Sequence, residues 1–459
     1  MSLTARLRQD DLLSRVLLNS AHLFSSNSIS LVLGFVQGIL AARLLGLADY
    51  GLVVLVMAYA STVNGLFSFR MSELVVRYAG EYLEQGQREK AAALVKAAGL
   101  GEAGVSLLAF LVVAATAGLA SRLIIKMPGS EWMIVLYSLG LLANFNTETS
   151  TGVLQATGKV RLRGLVNLAQ TALSLTIIGA AFLIHRSTGA FQSQLVLIAL
   201  AGYLAGKSLL GLGLFATAQV ELRRVLGAGW SRASLRVLPS ARELVRFAVS
   251  SNLSATAILI FRESELLWIG FFLNPEAAAL FKNAYTIVLF LAVPADPLIL
   301  AVYPELNRLI VQRAWPRLHR LLRNVTLISL GYNMVLALAL VLLGRWVLSF
   351  YGSQYVVAYP ALLVLLAGFA FNFTLFWNRP LLLSLGLPTF PLWAVLFAGL
   401  LKLGLAFALV PRYGYTMEAA LLSLYYVVSV GLMAWRGLKE IRTQESGPAG
   451  AALKQEGGS

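Results

Sequence analysis

The chain is 459 residues long, carries 37 Lys and Arg against 21 Asp and Glu for a formal net charge of +16, and has no cysteine. Hydrophobic residues make up 58%, charged residues only 13%, and the mean hydropathy is +0.76; soluble domains carry about 25% charged residues, so this chain belongs in lipid. Disulfides, thiolate catalysis and Cys metal sites are excluded, and no ten-residue alternation of the membrane-barrel kind occurs.

Apolar runs of about 20 residues, enough to cross about 30 Å of hydrocarbon as helices, recur along the chain and predict twelve spans. The first is 22–45; it is too long for the apolar part of a cleavable signal and is expected to insert as a span. The second is 50–78, with an amphipathic extension to 84, and is entered through a polar break from Gly46 to Gly51. Spans 3 to 6 follow at 91–119, 131–157, 162–184 and 191–220. A basic linker at 221–242 separates them from spans 7 to 12, at 244–273, 275–306, 318–350, 358–385, 390–410 and 415–438. The tail, 439–459, is rich in Gly, Gln and Glu and reads as disordered. The expected organisation is a six-helix bundle at 1–220, the linker, a second six-helix bundle at 243–438, and a cytoplasmic tail.

Lys and Arg crowd the loops of one side: Arg6, Arg8 and Arg15, Arg70, Arg77, Arg88, Lys90 and Lys96, Lys159, Arg161 and Arg163, the linker arginines, Arg308 to Arg323, and Arg436 to Lys454, with Arg70 at the border of its span. The other side has Arg43, Arg122, Lys126, Arg186, Arg345 and Arg412. Cytoplasmic loops carry the excess of positive charge, so both termini are expected in the cytoplasm, as an even number of spans requires. The high positive charge is accounted for by topology and by anionic lipid at the inner surface, with no nucleic-acid partner needed.

The two halves echo one another. The break Gly46–Gly51 and the following span have a counterpart 227 residues later, where Leu273-Asn274-Pro275-Glu276 makes the break. Asn144-Phe145-Asn146 meets Asn372-Phe373-Thr374 at an offset of 228, and Gly158 meets Gly386, each closing its helix. Six spans per half insert in the same orientation, so the halves are expected to be parallel repeats with a binding site near the midplane.

Charged residues inside spans are costly, roughly 2.5 to 3.5 kcal/mol each at the bilayer centre, and mark cavities or partners. The cations are Lys207, Arg262, Lys282, Arg379 and Lys402, with Arg70 as a sixth; the acids are Glu102, Glu148, Glu263, Glu265, Asp296 and Glu418. Convergence of the cations on one lumen would suit a phosphate or diphosphate. The bland reading is local pairing: Arg262 and Glu265 are i, i+3 and satisfy one another on a regular helix, and Lys282 snorkels to an interface. Polar stripes support a wet face: Asn252, Thr256 and Glu263; Asn372 and Arg379; Thr374 and Asn378; and the cluster Asn144 to Thr151. Those residues also make interhelical hydrogen bonds. Pro294 and Pro297 bracket Asp296 and predict a kink in span 8. Glu263, Asp296 and Glu148 are the candidates for coupling a proton or sodium ion.

Enzymatic chemistry is sparse. His22, His185 and His319 are not spaced as metal ligands, no phosphate-cradling glycine loop occurs, and no loop has room for an extracytoplasmic catalytic domain. The expectation is a membrane transporter with no metal or bound cofactor, driven by an ion gradient or the membrane potential.

The strings ARLLGLADYGLVVLVMAY and FR..ELVVRYAGEYLEQGQREKA resemble the opening of the polysaccharide-exporting flippases of the multidrug/oligosaccharidyl-lipid/polysaccharide exporter superfamily. ALFKNAYTIVLFLAVPADPLILAVYPELNRL is similar to that family's eighth helix. The resemblance implies an all-α polytopic membrane protein, a V-shaped transporter of two bundles in the bacterial inner membrane, both ends cytoplasmic. It implies translocation of undecaprenyl-diphosphate-linked oligosaccharide repeat units by alternating access, for cell-surface polysaccharide such as lipopolysaccharide O-antigen. Arg262, Lys282, Arg379, Lys207, Lys402 and Arg70 are the positions that would hold the anionic head group. Lipid-linked oligosaccharide and membrane lipids are the implied partners, with polysaccharide polymerase machinery as a further one. Lipid II flippases usually have fourteen helices, and this chain lacks the extra pair. The alternative is a sodium- or proton-coupled multidrug/cation antiporter of the same superfamily, against which the cation-rich second half weighs.

Overall fold

The computed structural model describes residues 11–68, 71–238, 258–293 and 295–446, without the side chains of 11–25, 27, 295–297 and 300. Among these residues the protein is helical and contains no strand. The chain divides into two compact units, Met1–Thr256 and Ala257–Ser459.

In the first unit, α1 (Asp11–Phe67) carries predicted spans 1 and 2 across a break at Gly46, whose φ of 75° and ψ of −173° only glycine adopts without strain. After Ser68 the chain resumes as Met71–Leu74, a π turn at Val75–Ala79, and Gly80–Glu84. Then follow α2 (Arg88–Ala120), α3 (Glu131–Ala143), α4 (Thr147–Ala156), α5 (Val160–Thr188) and α6 (Leu195–Leu226). Predicted span 4 is therefore two helices on either side of a turn at 144–146.

The second unit begins its description in predicted span 7, as a π turn at Leu259–Glu263 followed by α7 (Glu265–Phe272). Span 8 is α8 (Pro275–Val288), a 3-10 turn at Leu289–Ala292, and α9 (Ala295–Val311). The interruption thus starts before the two prolines flanking Asp296, and Pro294 itself lies outside the described residues. Next come α10 (Trp315–Ser349), α11 (Tyr359–Thr374), α12 (Asn378–Ser384), α13 (Phe390–Tyr413) and α14 (Tyr415–Ser446).

Eight helical stretches among the described residues are long and apolar enough to cross a membrane. The first holds predicted spans 1 and 2 together, and predicted spans 4 and 8 and the described part of span 7 fold as shorter helices. The outward residues agree with a lipid setting. α10 exposes Leu327, Ile328, Met334, Val335, Leu338, Leu342 and Trp346. An apolar strip of that length is foreign to a water-soluble monomer and is what acyl chains cover.

The repeat is visible in backbone hydrogen bonds. Gly86 N–H donates to Leu83 O (3.1 Å) and Gln87 N–H to Tyr82 O (2.8 Å); 227 residues on, Arg313 N–H donates to Ile310 O (3.0 Å) and Ala314 N–H to Leu309 O (2.9 Å). Gly158 N–H donates to Gln155 O (3.1 Å) and Lys159 N–H to Leu154 O (2.7 Å); at an offset of 228, Gly386 N–H donates to Leu383 O (3.1 Å) and Leu387 N–H to Leu382 O (2.9 Å). Each pair is the same glycine-type helix stop, with its positive φ conserved between halves: 72° and 52°, then 71° and 77°. Buried positions repeat as well. Val75, Ala79, Val95 and Val153 share one core in the first unit; Val302, Leu306, Leu322 and Leu381, at the same offsets, share one in the second. The mid-helix break is less regular, at 144–146 in one half and 375–377 in the other.

Two boundaries differ from expectation. Residues 439–446, expected to be disordered, continue α14: Arg436 pairs with Glu440 at 3.0 Å and Ile441 is fully buried in a cluster with Trp315 and Leu318. An apolar residue one turn past the expected end supplies the packing that keeps the helix wound. The linker also starts later, after Leu226. Glu221 and Leu222 are buried on α6, and the 3-10 turns Trp230–Arg232 and Leu235–Val237 stay on the first unit, where Lys96 Nζ donates to Ala233 O (3.2 Å).

Candidate substrate and ion sites

The first unit holds a polar cavity of about 130 Å³, lined by Asn64, Ser68, Met71, Glu102, Val105, Ser106, Asn144, Thr147, Glu148 and Lys207. At roughly 30 Å³ per water, that is room for about four. It exists because predicted span 4 breaks. The turn at 144–146 leaves the first N–H groups of α4 without intrahelical partners, and the carboxylate of Glu102 on α2 takes two of them: Oε1 accepts from Glu148 N–H and Oε2 from Thr149 N–H, both at 2.8 Å. A negative group is favoured at a helix N-terminus. The Asn144 side chain donates to Gly140 O (2.6 Å) and to Lys207 O (3.0 Å), pinning α6 against the break. Ser72 Oγ donates to Glu148 Oε2 at 2.5 Å. The Lys207 ammonium stands 5.4 Å from the centre of the Tyr137 ring, a cation–π contact. Lys207 and Glu148 thus share a cavity, and no ion pair joins them among the described residues. Arg70 lies outside the described residues.

In the second unit the cations divide. Arg262, on the π turn, pairs with its neighbour Glu263 at 3.0 Å, and both side chains are well exposed, at 39% and 48%. The guanidinium lies within electrostatic reach of Tyr285 on α8 and of Tyr425 and Tyr426 on α14. Those rings belong to an aromatic chain: Phe281 stacks on Tyr285, Tyr285 meets Phe369 edge-on at 5.5 Å, and Phe369 meets Tyr426 at 4.9 Å. Lys282 is half-buried on α8, three residues before Tyr285, and Arg379 is exposed in the first turn of α12. Among the described residues no acid pairs with either. Asp296 falls in α9, and its side chain is outside the description.

Lys402 occupies a different setting. Midway along α13 and 3% exposed, its ammonium bonds Glu265 at the start of α7, lies 3.1 Å from Glu418 Oε1 in the first turn of α14, and donates to Phe261 O at 3.4 Å. Lys402 therefore faces two acids, whereas Arg262, Lys282 and Arg379 do not. Glu265, expected to pair with Arg262 at i, i+3, pairs with Lys402 instead. The π turn and the break at Ser264 change the angular step per residue, so the three-residue spacing no longer puts the two side chains on one face.

The features not assigned a role from sequence are the Glu102 cap, the Glu265–Lys402–Glu418 cluster and the tyrosines around Arg262. The adjacent Tyr425 and Tyr426 in an otherwise aliphatic span were a visible signal. The partners of Glu102 and Glu418 were not, since they depend on which helices touch.

Comparison with known proteins places the chain. The profile of the polysaccharide biosynthesis protein family matches residues 16–310, well over half of its length. The chain belongs to that family. It is 25% identical over 357 residues to the inner membrane protein YghQ of Escherichia coli (strain K12), covering 75% of this chain and 94% of that protein. Among solved structures it is similar to a multidrug resistance MATE family transporter of the MOP superfamily in an inward-facing conformation, with a TM-score of 0.68, 16% identity, and 91% and 96% of the two chains covered. It is similar also to the lipid II flippase MurJ in an inward closed conformation, with a TM-score of 0.68, 12% identity, and 92% and 89% covered. A MOP superfamily transporter from Pyrococcus furiosus, whose reversed binding-pocket polarity suggested a different function, aligns with a TM-score of 0.60 at 14% identity, over 94% and 96% of the chains. The protein is a multi-pass membrane protein of the polysaccharide biosynthesis family, and its fold is that of these solved transporters.

Proposed function

We propose that the protein translocates undecaprenyl-diphosphate-linked oligosaccharide repeat units across the bacterial inner membrane by alternating access, for assembly of a cell-surface polysaccharide. The observation that carries this reading is the state of the cations in the second unit. Lys282 and Arg379 have no acid partner among the described residues, and Arg262 has only a half-exposed one, so all three remain available to an anion. A diphosphate is matched by such groups, an Arg through two parallel N–H···O bonds. Tyr285, the partly exposed ring of the aromatic chain beside Arg262, offers a flat apolar surface on which a sugar ring can stack. Family membership supports the polysaccharide pathway. Both termini are cytoplasmic in this reading, and polysaccharide polymerase machinery is a downstream partner.

The competing reading is a sodium- or proton-coupled cation antiporter, favoured by the carboxylates Glu102 and Glu148 around the first unit's cavity. Proteoliposomes separate the two. Protection of an undecaprenyl-diphosphate oligosaccharide from an external lectin is measured for the native protein and for Arg262→Ala/Arg379→Ala. Movement of the glycolipid by the former and loss of it in the latter is the expected result. No glycolipid movement, with extrusion of a cationic dye down an ion gradient, replaces the flippase reading with the antiporter.

A further inference from the structure

The Lys402 cluster has more negative charge than one ammonium can neutralise. Glu418 is fully buried, and Lys402 and Glu265 are each 3% exposed. The ammonium donates to Glu265 Oε1 and to the Phe261 carbonyl, and stands 3.1 Å from Glu418 Oε1 as an ion pair. Glu265 Oε2 and both oxygens of Glu418 have no hydrogen-bond partner among the described residues. With both acids ionised the cluster is a buried net anion. With one proton it is neutral, and the protonated carboxyl gains an O–H to donate to the other.

The cluster sits where the helix of predicted span 7 is broken. Glu265 opens α7 directly after the π turn, and Lys402 holds the carbonyl of Phe261 within that turn. Phe261 is seated against Gly399 of α13, where any Cβ would run into its ring. Arg262, the candidate head-group ligand, is the next residue. The titratable groups within electrostatic reach of Glu265 are Tyr285 on α8 and Tyr425 and Tyr426 on α14, and the same three tyrosines lie within reach of Arg262, whose own neighbour on the π turn is Glu263. Loading or losing one proton here changes both the grip on the turn that carries Arg262 and the field at its guanidinium.

We infer that Lys402, Glu265 and Glu418 form a binding site for one exchangeable proton, and that this proton is the ion coupled to movement of the anionic cargo. The coupling half of this inference rests on the flippase reading above; the proton site itself does not. None of the three acids singled out from sequence for ion coupling, Glu263, Asp296 and Glu148, is a member of the site.

The test uses the full-length protein in proteoliposomes. Infrared difference spectra across the neutral pH range report a protonated carboxyl band and its shift in D₂O, without any glycolipid. The band is expected in the native protein, to titrate reversibly, and to be lost in Glu418→Gln and in Glu265→Gln. Glycolipid distribution between leaflets is then followed under an imposed pH difference. One coupled proton shifts the ratio by about tenfold per pH unit, and Glu418→Gln abolishes the shift. Absence of the band, a band that neither titrates nor exchanges, or glycolipid movement indifferent to the proton gradient or driven by sodium overturns the inference, and in the last two cases the flippase reading survives. A titrating band dependent on Glu418 in a protein that moves no glycolipid supports the proton site and sinks the flippase reading. Because the native protein carries the first measurement, poor folding of a variant does not remove the test.

Discussion

A lysine inside an apolar bundle is stable only where something answers its charge, and Lys402 is answered twice. Replacing it with Met leaves Glu265 and Glu418 buried face to face. The expected loss is about 3–5 kcal/mol of stability, the range for breaking a buried ion pair from one side, read as a lowered unfolding midpoint in detergent. Glu102 acts differently, as a cap supplied from another helix. Glu102→Ala is expected to destabilise by about 1–2 kcal/mol and to speed hydrogen exchange at the amides of Glu148 and Thr149, which lose their acceptors. Lys282 has no acid partner among the described residues. Lys282→Ala should leave the unfolding midpoint in place while weakening binding of a diphosphate-bearing glycolipid roughly tenfold or more, the loss of one charge-assisted hydrogen bond. An unfolding midpoint that falls with it would mean the ammonium is structural. The presence of these charged residues in spans was legible in sequence, because charge in hydrocarbon is rare. Which residue each one meets was not, because pairs such as Lys402 with Glu265 join helices far apart in the chain.

Helix ends carry the duplication more faithfully than helix interiors do. The stop at Gly86 and the stop at Arg313 use the same two hydrogen bonds and the same left-handed residue, but the second half has a side chain where the first has none. Left-handed backbone disfavours an L side chain by about 1–2 kcal/mol. Gly86→Ala should therefore destabilise by about 1 kcal/mol, and Arg313→Gly should be neutral or stabilising; unfolding midpoints of the two variants check the asymmetry. The reverse ranking would show that these stops are not equivalent. Stops and breaks were readable from sequence where glycine or proline marks them, as at Gly46, Gly158, Asn274–Pro275 and Gly386. The π turns at Val75–Ala79, Ser121–Ile125 and Leu259–Glu263 were not, since no residue type announces them. They arise where packing shifts the register of an otherwise ordinary helix.

For the whole molecule, the wide apolar faces and the family match agree on a chain that works within a bilayer. Each unit organises polar groups around an interrupted helix: the first around α3 and α4, the second around the π turn and α7. Their contents differ. The first unit's cavity places two carboxylates and Lys207 around a small wet volume, and the second sets cations beside aromatic rings.

Hydropathy by itself determined that this is a helical membrane protein, because the bilayer admits few other solutions for an apolar backbone. The offsets of 227 and 228 residues determined the duplication, because helix stops need particular residues at particular places. Only the tertiary structure decided that Lys402 is shared by Glu265 and Glu418, that Glu102 caps a helix it does not belong to, and that Arg262 turns toward tyrosines. Those contacts join residues up to 164 positions apart, and in a bundle the choice of neighbour is made by the packing of small and large side chains, of which Gly399 beneath Phe261 is one case. No local sequence pattern encodes that choice.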